Sequence, residues 1–196
     1  MLDFACSLAK KAGVYLKANF GENLLVEYKG RINPVTQVDK GSQNIICSSV
    51  EKIFPEHSIV SEESKIKETG KRYTWFIDPL DGTVNYIHGI PIFCVSIALY
   101  RDMEPYIGVC YNPMSEEFFY AQRGEGAFVN GEKIFVSSTN ALIDSLLVTG
   151  FPYSLDALDT SIIRFKKLLG EVQGIRRIGS AALDLCYVAK GAFDGF

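Results

Sequence analysis

The string Asp78-Pro79-Leu80-Asp81-Gly82-Thr83 sets two carboxylates three residues apart around a proline and just ahead of an Asp-Gly turn pair. The preceding run Tyr73 to Ile77 is short, aromatic and β-branched, which predicts a buried strand with Asp78 at its carboxyl end. Pro79 fixes its own φ and removes a donor, and Asp81-Gly82 favours a turn, so the polypeptide is expected to leave the strand there and curl. In a continuing strand Asp78 and Asp81 would point to opposite faces. A turn into a helix lets both acids reach one cation, with the Leu80 carbonyl alongside. Gly82 and Thr83 then open the next segment, where bare N–H groups suit a phosphate. Pro-x-Asp-Gly is also an ordinary turn, and Asp before a helix an ordinary cap. The combination of two acids, a buried strand and a following threonine points instead to a metal and phosphate site.

The 196 residues are enough for one domain, or two small lobes sharing a cleft, and 47% hydrophobic content supplies a core. A formal net charge of -3 gives no general attraction to nucleic acid or anionic lipid. A phosphate ligand must therefore be held by local groups and cations. Lys10 and Lys11 interrupt the apolar N-terminal stretch, and no run reaches membrane-spanning length, which predicts a cytoplasmic protein. Cys6, Cys47, Cys94, Cys110 and Cys186 are odd in number, far apart and without a Cys-x-x-Cys pair, and read as buried free thiols.

Further along, Phe4, Leu8, Ala12, Leu16 and Phe20 recur at four-residue intervals and predict an amphipathic helix over 3–20. The stretch 27–34 is polar and rich in breakers and is expected to be a mobile loop. Ile46, Val50 and Phe54 mark a second helix, stopped by Pro55, with Asp39 at its start as either a helix cap or a functional acid. His57 to Ser61 reads as a short strand followed by Glu62-Glu63, of which only one can point inward. Four stretches (92–100, 105–111, 117–122 and 127–136) are rich in Val, Ile, Phe and Tyr and predict an antiparallel meander, with Asn130-Gly131 as a hairpin turn. Gly124-Glu125-Gly126 precedes no helix and is a turn. Strand signals at 146–149 and 175–178 alternate with a helix marked by Ile162, Phe165 and Leu169. Gly179-Ser180 leads into a small-residue helix over 181–189. Layered helices and sheets follow, an α+β class, divided into an N-terminal lobe over 1–140 and the start of a second lobe over 141–196.

The Asp-Pro-Leu-Asp-Gly-Thr string, the Glu62-Glu63 pair before it and the Gly179-Ser180-Ala181 helix together resemble the inositol monophosphatase family of Mg-dependent, lithium-sensitive phosphatases. The likeness runs from residue 1 to 196. It implies an αβαβα sandwich of the sugar-phosphatase type and a homodimer formed through the sheet lobe. It also implies two or three Mg²⁺ ions. Glu62, Asp78 and the Leu80 carbonyl would hold one ion, and Asp78 and Asp81 a second. Thr83, paired with Asp39, would act with Glu62 on the attacking water, so Glu62, Thr83 and Asp39 are the catalytic set. Glu62, Asp81, Gly82, Thr83, Gly179, Ser180 and Ala181 would contact substrate, and Lys29 would lie in a loop closing over the site. Ser61 stands where the family usually has glycine, and His88 matches without a catalytic role. The implied partner is a small phosphorylated alcohol or sugar, with inositol monophosphate first and a sugar bisphosphate or nucleotide phosphate second. Some members of the family bind transcription machinery, so a noncatalytic interaction protein is the reading from another class.

Haloacid-dehalogenase phosphatases also end a strand in acids before Gly-Thr, but with one residue between the acids. Asp78 and Asp81 have two between them. The residues 192–196 read as the start of a strand, and the family's Trp-Asp-x-Ala-Ala segment, whose aspartate completes the second ion, does not occur in a sequence whose one tryptophan is Trp75. The expectation is a protein truncated at its C-terminus relative to the family, with a strong first cation site and a weak second one.

Overall fold

The computed structural model describes residues 1–22, 24–28, 33–62, 72–152 and 155–196, with the side chains of 155–157 excepted. The loop residue Lys29 and Glu63 lie outside the described residues. Helix α1 (Leu2–Ala18) turns Ala5, Leu8, Ala9, Ala12 and Leu16 into the core. Its small residues let other elements approach closely: a Cβ at Gly13 would stand 2.5 Å from the Tyr111 ring. The two ends of the stretch expected to be a loop lie in paired strands, β1 (Val26–Tyr28) and β2 (Pro34–Thr36), antiparallel, with β2 fully buried. Polarity misleads there because β1 is an exposed ribbon whose partner strand supplies the burial.

Helix α2 (Gln37–Ile53) starts on a capping box, with the Thr36 hydroxyl accepting from the Val38 and Asp39 amides and the Asp39 carboxylate accepting from the Thr36 amide. Such a cap contributes about 1 kcal/mol. The helix ends at Ile53, before Pro55, as the sequence predicts.

A seven-stranded sheet follows the order β3 (Ser58–Ser61), β4 (Tyr73–Asp81), β5 (Cys94–Arg101), β6 (Glu104–Asn112), β7 (Glu117–Gln122), β8 (Gly126–Val129), β9 (Glu132–Lys133). β3 runs parallel to β4, and every later pair is antiparallel, which is the expected meander. The last expected strand folds back on itself: Asn130 and Gly131 take φ of 49° and 89°, and Val129 pairs with Glu132. Positive φ at both turn positions is what a two-residue hairpin needs, and Asn-Gly accepts it most readily.

Helices α1 and α2 cover one face of this sheet, packing on Trp75, Ile77, Val95, Ile97, Leu99, Ile107 and Val109. The other face carries Cys94, Cys110 and Phe119 against Leu183 of α5 (Ala181–Ala189). In chain order, α4 (Leu155–Leu169) and a parallel pair, β10 (Leu146–Val148) and β11 (Gly174–Arg176), come after β9 and before α5. Past α5, Asp194 and Gly195 bond to the β10 backbone, so the strand signal at 192–196 is realised as a short bridge. The five cysteines are free. Cys94 and Cys110 are buried as expected, whereas Cys6, Cys47 and Cys186 are only half-buried. Among the described residues no helix is long and apolar enough to cross a membrane.

Under the α1/α2 layer, His57 stacks on Phe54 at 4.7 Å and accepts a hydrogen bond at Nδ1 from the Trp75 indole at 3.0 Å. Burial holds the imidazole below its ordinary value of 6.5. The folded state therefore resists a proton that the unfolded state accepts, so this contribution to stability is complete above about pH 6.5 and is lost as pH falls below it. Between pH 7.5 and 5.5 the melting temperature of the native protein should fall more than that of His57→Gln, whose amide oxygen still accepts from Trp75. Equal declines would remove His57 as the titrating group.

Candidate active site

The predicted strand end is not an end. β4 continues through Pro79 and Leu80 to Asp81, and the register slips on the way: Asp78 faces Ser96 and Asp81 faces Cys94. Three steps on β4 match two on β5, which is a β-bulge of one extra residue. Ser96 and Cys94 are two apart on a regular strand and point to one face, so Asp78 and Asp81 do too. The extra residue resets the alternation that would have set the two acids on opposite faces. Proline in an inner strand is tolerated at such a bulge, where its missing donor breaks no ladder bond. The Ser42 hydroxyl, one turn after Asp39 on α2, fastens the bulge by donating to the Pro79 carbonyl at 2.8 Å. Leu80 turns into the core at 1% exposure, leaving its carbonyl toward the site.

β3 hands on Glu62, whose amide donates to the Ile77 carbonyl at 3.1 Å and so prolongs the parallel ladder by one residue. Glu62, Asp78, Leu80, Asp81, Gly82, Thr83, Val84, Asn33, Arg177 and Gly179 wall a polar cleft of about 170 Å³. A larger groove of about 270 Å³ between the sheet and α5 is almost wholly apolar and lacks convergent charged groups. The cleft of carboxylates is where chemistry can occur.

Gly82 sits at φ 97°, and a Cβ there would come within 2.9 Å of the Ile92 carbonyl oxygen, so both the backbone angle and the space demand glycine. The short helix α3 (Thr83–Ile87) starts from it. The Thr83 hydroxyl lies 3.0 Å from Asp39 Oδ1 and 3.1 Å from the Leu80 carbonyl oxygen. Asp39 Oδ2 meanwhile accepts from the Thr36 amide at 2.8 Å and the Thr36 hydroxyl at 2.5 Å. Asp39 is thus both the acidic member of the capping box that Thr36 opens and the partner of Thr83, one oxygen to each. Burial raises its carboxyl above the ordinary range, and the bonds from Thr36 and Thr83 oppose that rise.

Asp81 Oδ2 accepts from the Ser180 hydroxyl and the Ala182 amide, both at 2.7 Å, across the cleft. Ser180 is therefore turned away from the cleft at 1% exposure, and Ala181 opens α5 outside its walls; of the three expected substrate contacts on this side, Gly179 alone lines the cleft. Asp81 Oδ1 is left for the cleft. Asp78 Oδ1 accepts from the Leu80 amide at 3.1 Å, and its carboxyl shares a hydrogen bond with Glu62. Burial, then the charges of Asp81 and Glu62, hold Asp78 well above the usual carboxylate range.

The donor set suits a hard divalent cation: carboxylate and carbonyl oxygens, with two acids close enough to share a proton where positive charge is needed. Among the described residues no three His, Cys, Asp or Glu side chains gather as a ready cage. A cation here would have to be held by pairs of carboxylates together with the Leu80 carbonyl.

Residues 1–196 match the Inositol monophosphatase family. The chain belongs to that family. It is 44% identical to the protein of Aquifex aeolicus named fructose-1,6-bisphosphatase/inositol-1-monophosphatase, over 99% of this chain and 75% of that one. It is 43% identical to the inositol-1-monophosphatase of Rhizobium meliloti, over 95% and 71% respectively. The crystal structure of the extragenic suppressor protein suhB from Bartonella henselae superposes with a TM-score of 0.92 at 41% identity, over 97% of this chain and 75% of that one. The chain thus spans about three-quarters of the length of these relatives. As a member of the inositol monophosphatase family it has that family's layered α+β fold and is a phosphoric monoester hydrolase, and the family is metal-dependent.

Several residues of the site escape sequence reasoning. Arg177 brings a guanidinium into a cleft of acids, and nothing in its strand pattern marks it. Ser42 is within reach of such reasoning, since it shares a helix face with Asp39 three residues earlier. Asp184, 1% exposed, has one oxygen without a hydrogen-bond partner among the described residues; burial and then Asp81 push its carboxyl up to about 6, while Arg177 opposes.

Because the folded-state value of Asp78 is raised, its contribution favours folding below the ordinary carboxylate value of 3.8 and is lost as pH rises through the folded value. At neutral pH without divalent ions, Asp78→Asn should therefore melt higher than the native protein, and added Mg²⁺ should stabilise the native protein alone. Thermal melts with and without EDTA check this. A less stable Asp78→Asn in EDTA would contradict the crowding of charge.

Proposed function

We propose that this protein hydrolyses a small phosphorylated polyol, inositol monophosphate before a sugar bisphosphate, with Mg²⁺ as the cation and water as the nucleophile. The observation that carries the reading is the bulge that sets Asp78 and Asp81 on one face beside Glu62 and the Leu80 carbonyl. Glu62, Asp78 and Leu80 would hold one ion, and Asp78 with Asp81 Oδ1 another. The cations, when bound, neutralise the ester dianion and acidify a water.

The protein's own residues supply the rest. The Thr83 hydroxyl donates to Asp39, so its lone pairs face the cleft and can accept a hydrogen bond from a water that Glu62 would also hold. The amides of Gly82 and Thr83 are placed to donate to phosphate oxygens, and Gly82 lets the phosphate come close to the backbone. Ser180 and Ala182 keep Asp81 oriented by bonding the oxygen that the cleft does not use. Gly179 and Arg177 face the alcohol side. No side chain of this set needs to form a bond to phosphorus, and water displaces the alcohol in one step. A homodimer in the cytoplasm completes the reading by resemblance.

Phosphate release from inositol 1-phosphate by the purified protein should require Mg²⁺, and Asp78→Asn or Asp81→Asn should lower it by at least about 100-fold with the fold retained. Thr83→Ala should cost about 10²- to 10⁴-fold in kcat. Wild-type turnover in either Asp variant would sink the assignment. Hydrolysis in ¹⁸O-water should label phosphate directly, and Li⁺ should inhibit at limiting Mg²⁺; a phosphoryl group trapped on Asp78 would point to the two-step, dehalogenase-like route instead.

A further inference from the structure

Asn85 lies two residues after Thr83 on α3 and is 7% exposed. Its Nδ2 donates at 2.8 Å to the Ile92 carbonyl and at 2.8 Å to the Ile178 carbonyl, so both amide hydrogens are spent on backbone of two segments far apart in sequence. Its backbone carbonyl accepts from the Ile90 amide at 2.9 Å. The side-chain amide also presses on the neighbouring residue of the far loop. Gly179 is at φ 94°, and a Cβ there would lie 2.7 Å from Asn85 Nδ2 and 2.8 Å from Oδ1. The loop that carries Gly179 is therefore fastened twice to the segment that carries the reacting groups, at Asp81 through Ser180 and Ala182, and at Asn85 through Ile178. Gly82 and Thr83 lie between these two points in the sequence.

We infer that Asn85 is a positioning residue that sets the alcohol side of the cleft, by fixing Ile178–Gly179 against the phosphate-holding turn at Gly82–Thr83. The inference rests on the phosphatase reading above. The amide hydrogens of Asn85 go to backbone carbonyls and not to the carboxylates, so its loss shifts the Gly179 loop more than Asp78 or Glu62. On the phosphatase reading the alcohol lies against that loop, so a polyol ester depends on it more than an ester whose leaving group is flat and unfunctionalised. Asparagine is required because both donors come from one nitrogen and the short side chain fits over a bare Cα.

The test compares kcat/KM for inositol 1-phosphate and for p-nitrophenyl phosphate in the native protein, in Asn85→Asp, which keeps the shape and loses the paired donors, and in Asn85→Ala. The ratio of the two efficiencies should fall at least about ten-fold in both variants, mainly through KM for the inositol ester. Gly179→Ala, which drives a methyl group into the Asn85 amide from the other side, should shift the ratio in the same direction and keeps the test open if an Asn85 variant fails to fold. A parallel loss on both esters, or an unchanged ratio in an active enzyme, overturns the inference. If the native protein hydrolyses neither ester, the phosphatase reading fails and the inference falls with it.

Discussion

One extra residue in one strand decides what this molecule can do. Without the bulge between Asp78 and Asp81, regular pairing of β4 with β5 would send Asp81 to the α1/α2 face and Leu80 toward the cleft, exchanging a carboxylate for an apolar side chain on both sides of the sheet. Burying an unpaired carboxylate in the core would cost several kcal/mol. The bulge avoids this by giving Pro79 no ladder partner to miss and by leaving its carbonyl to the Ser42 hydroxyl. The apolar packing of Trp75, Ile77 and Leu80 on one face and the convergence of acids on the other are two consequences of the same register slip.

The acids that result repel one another, and the surrounding structure is arranged around that repulsion. Asp39 is satisfied wholly from the protein, by Thr36 and Thr83. Asp81 is half satisfied, by the N-terminus of α5, where an anion is favoured. Asp78 has the Leu80 amide and the Glu62 carboxyl for company, and burial, then the charges of Asp81 and Glu62, raise its proton affinity. This gradient, from the acid held by protein bonds to the acid left with few of them, separates the residue that bonds the Thr83 hydroxyl from the residue proposed to bind metal.

Much of this is legible in the sequence, and the failures have physical causes. Periodicity carries the helices over 2–18 and 37–53 and the meander, and the Asp-Pro-Leu-Asp-Gly-Thr string carries the site. Its local geometry reads as a turn because proline and Asp-Gly are turn residues, whereas a bulge achieves the same convergence within a strand that neighbours on both sides hold in place. The pairing of β1 with β2 is hidden by its polar, exposed arm. The Ser180 hydroxyl bonds Asp81, a contact between residues 99 apart in sequence that local pattern cannot encode. Arg177 and Asn85 matter through the same kind of distant pairing, which is why neither residue stands out from its neighbours in the sequence.

The central claim is that the bulge makes a cation site from Glu62, Asp78 and the Leu80 carbonyl, with Asp81 beside it. Anomalous diffraction from crystals soaked in Mn²⁺ tests it most directly. The account predicts a peak bonded to the Glu62 and Asp78 carboxylates and the Leu80 carbonyl oxygen, with any second, weaker peak between Asp78 and Asp81 Oδ1. An ordered Mn²⁺ bound elsewhere, with these oxygens bare at saturating metal, would contradict it.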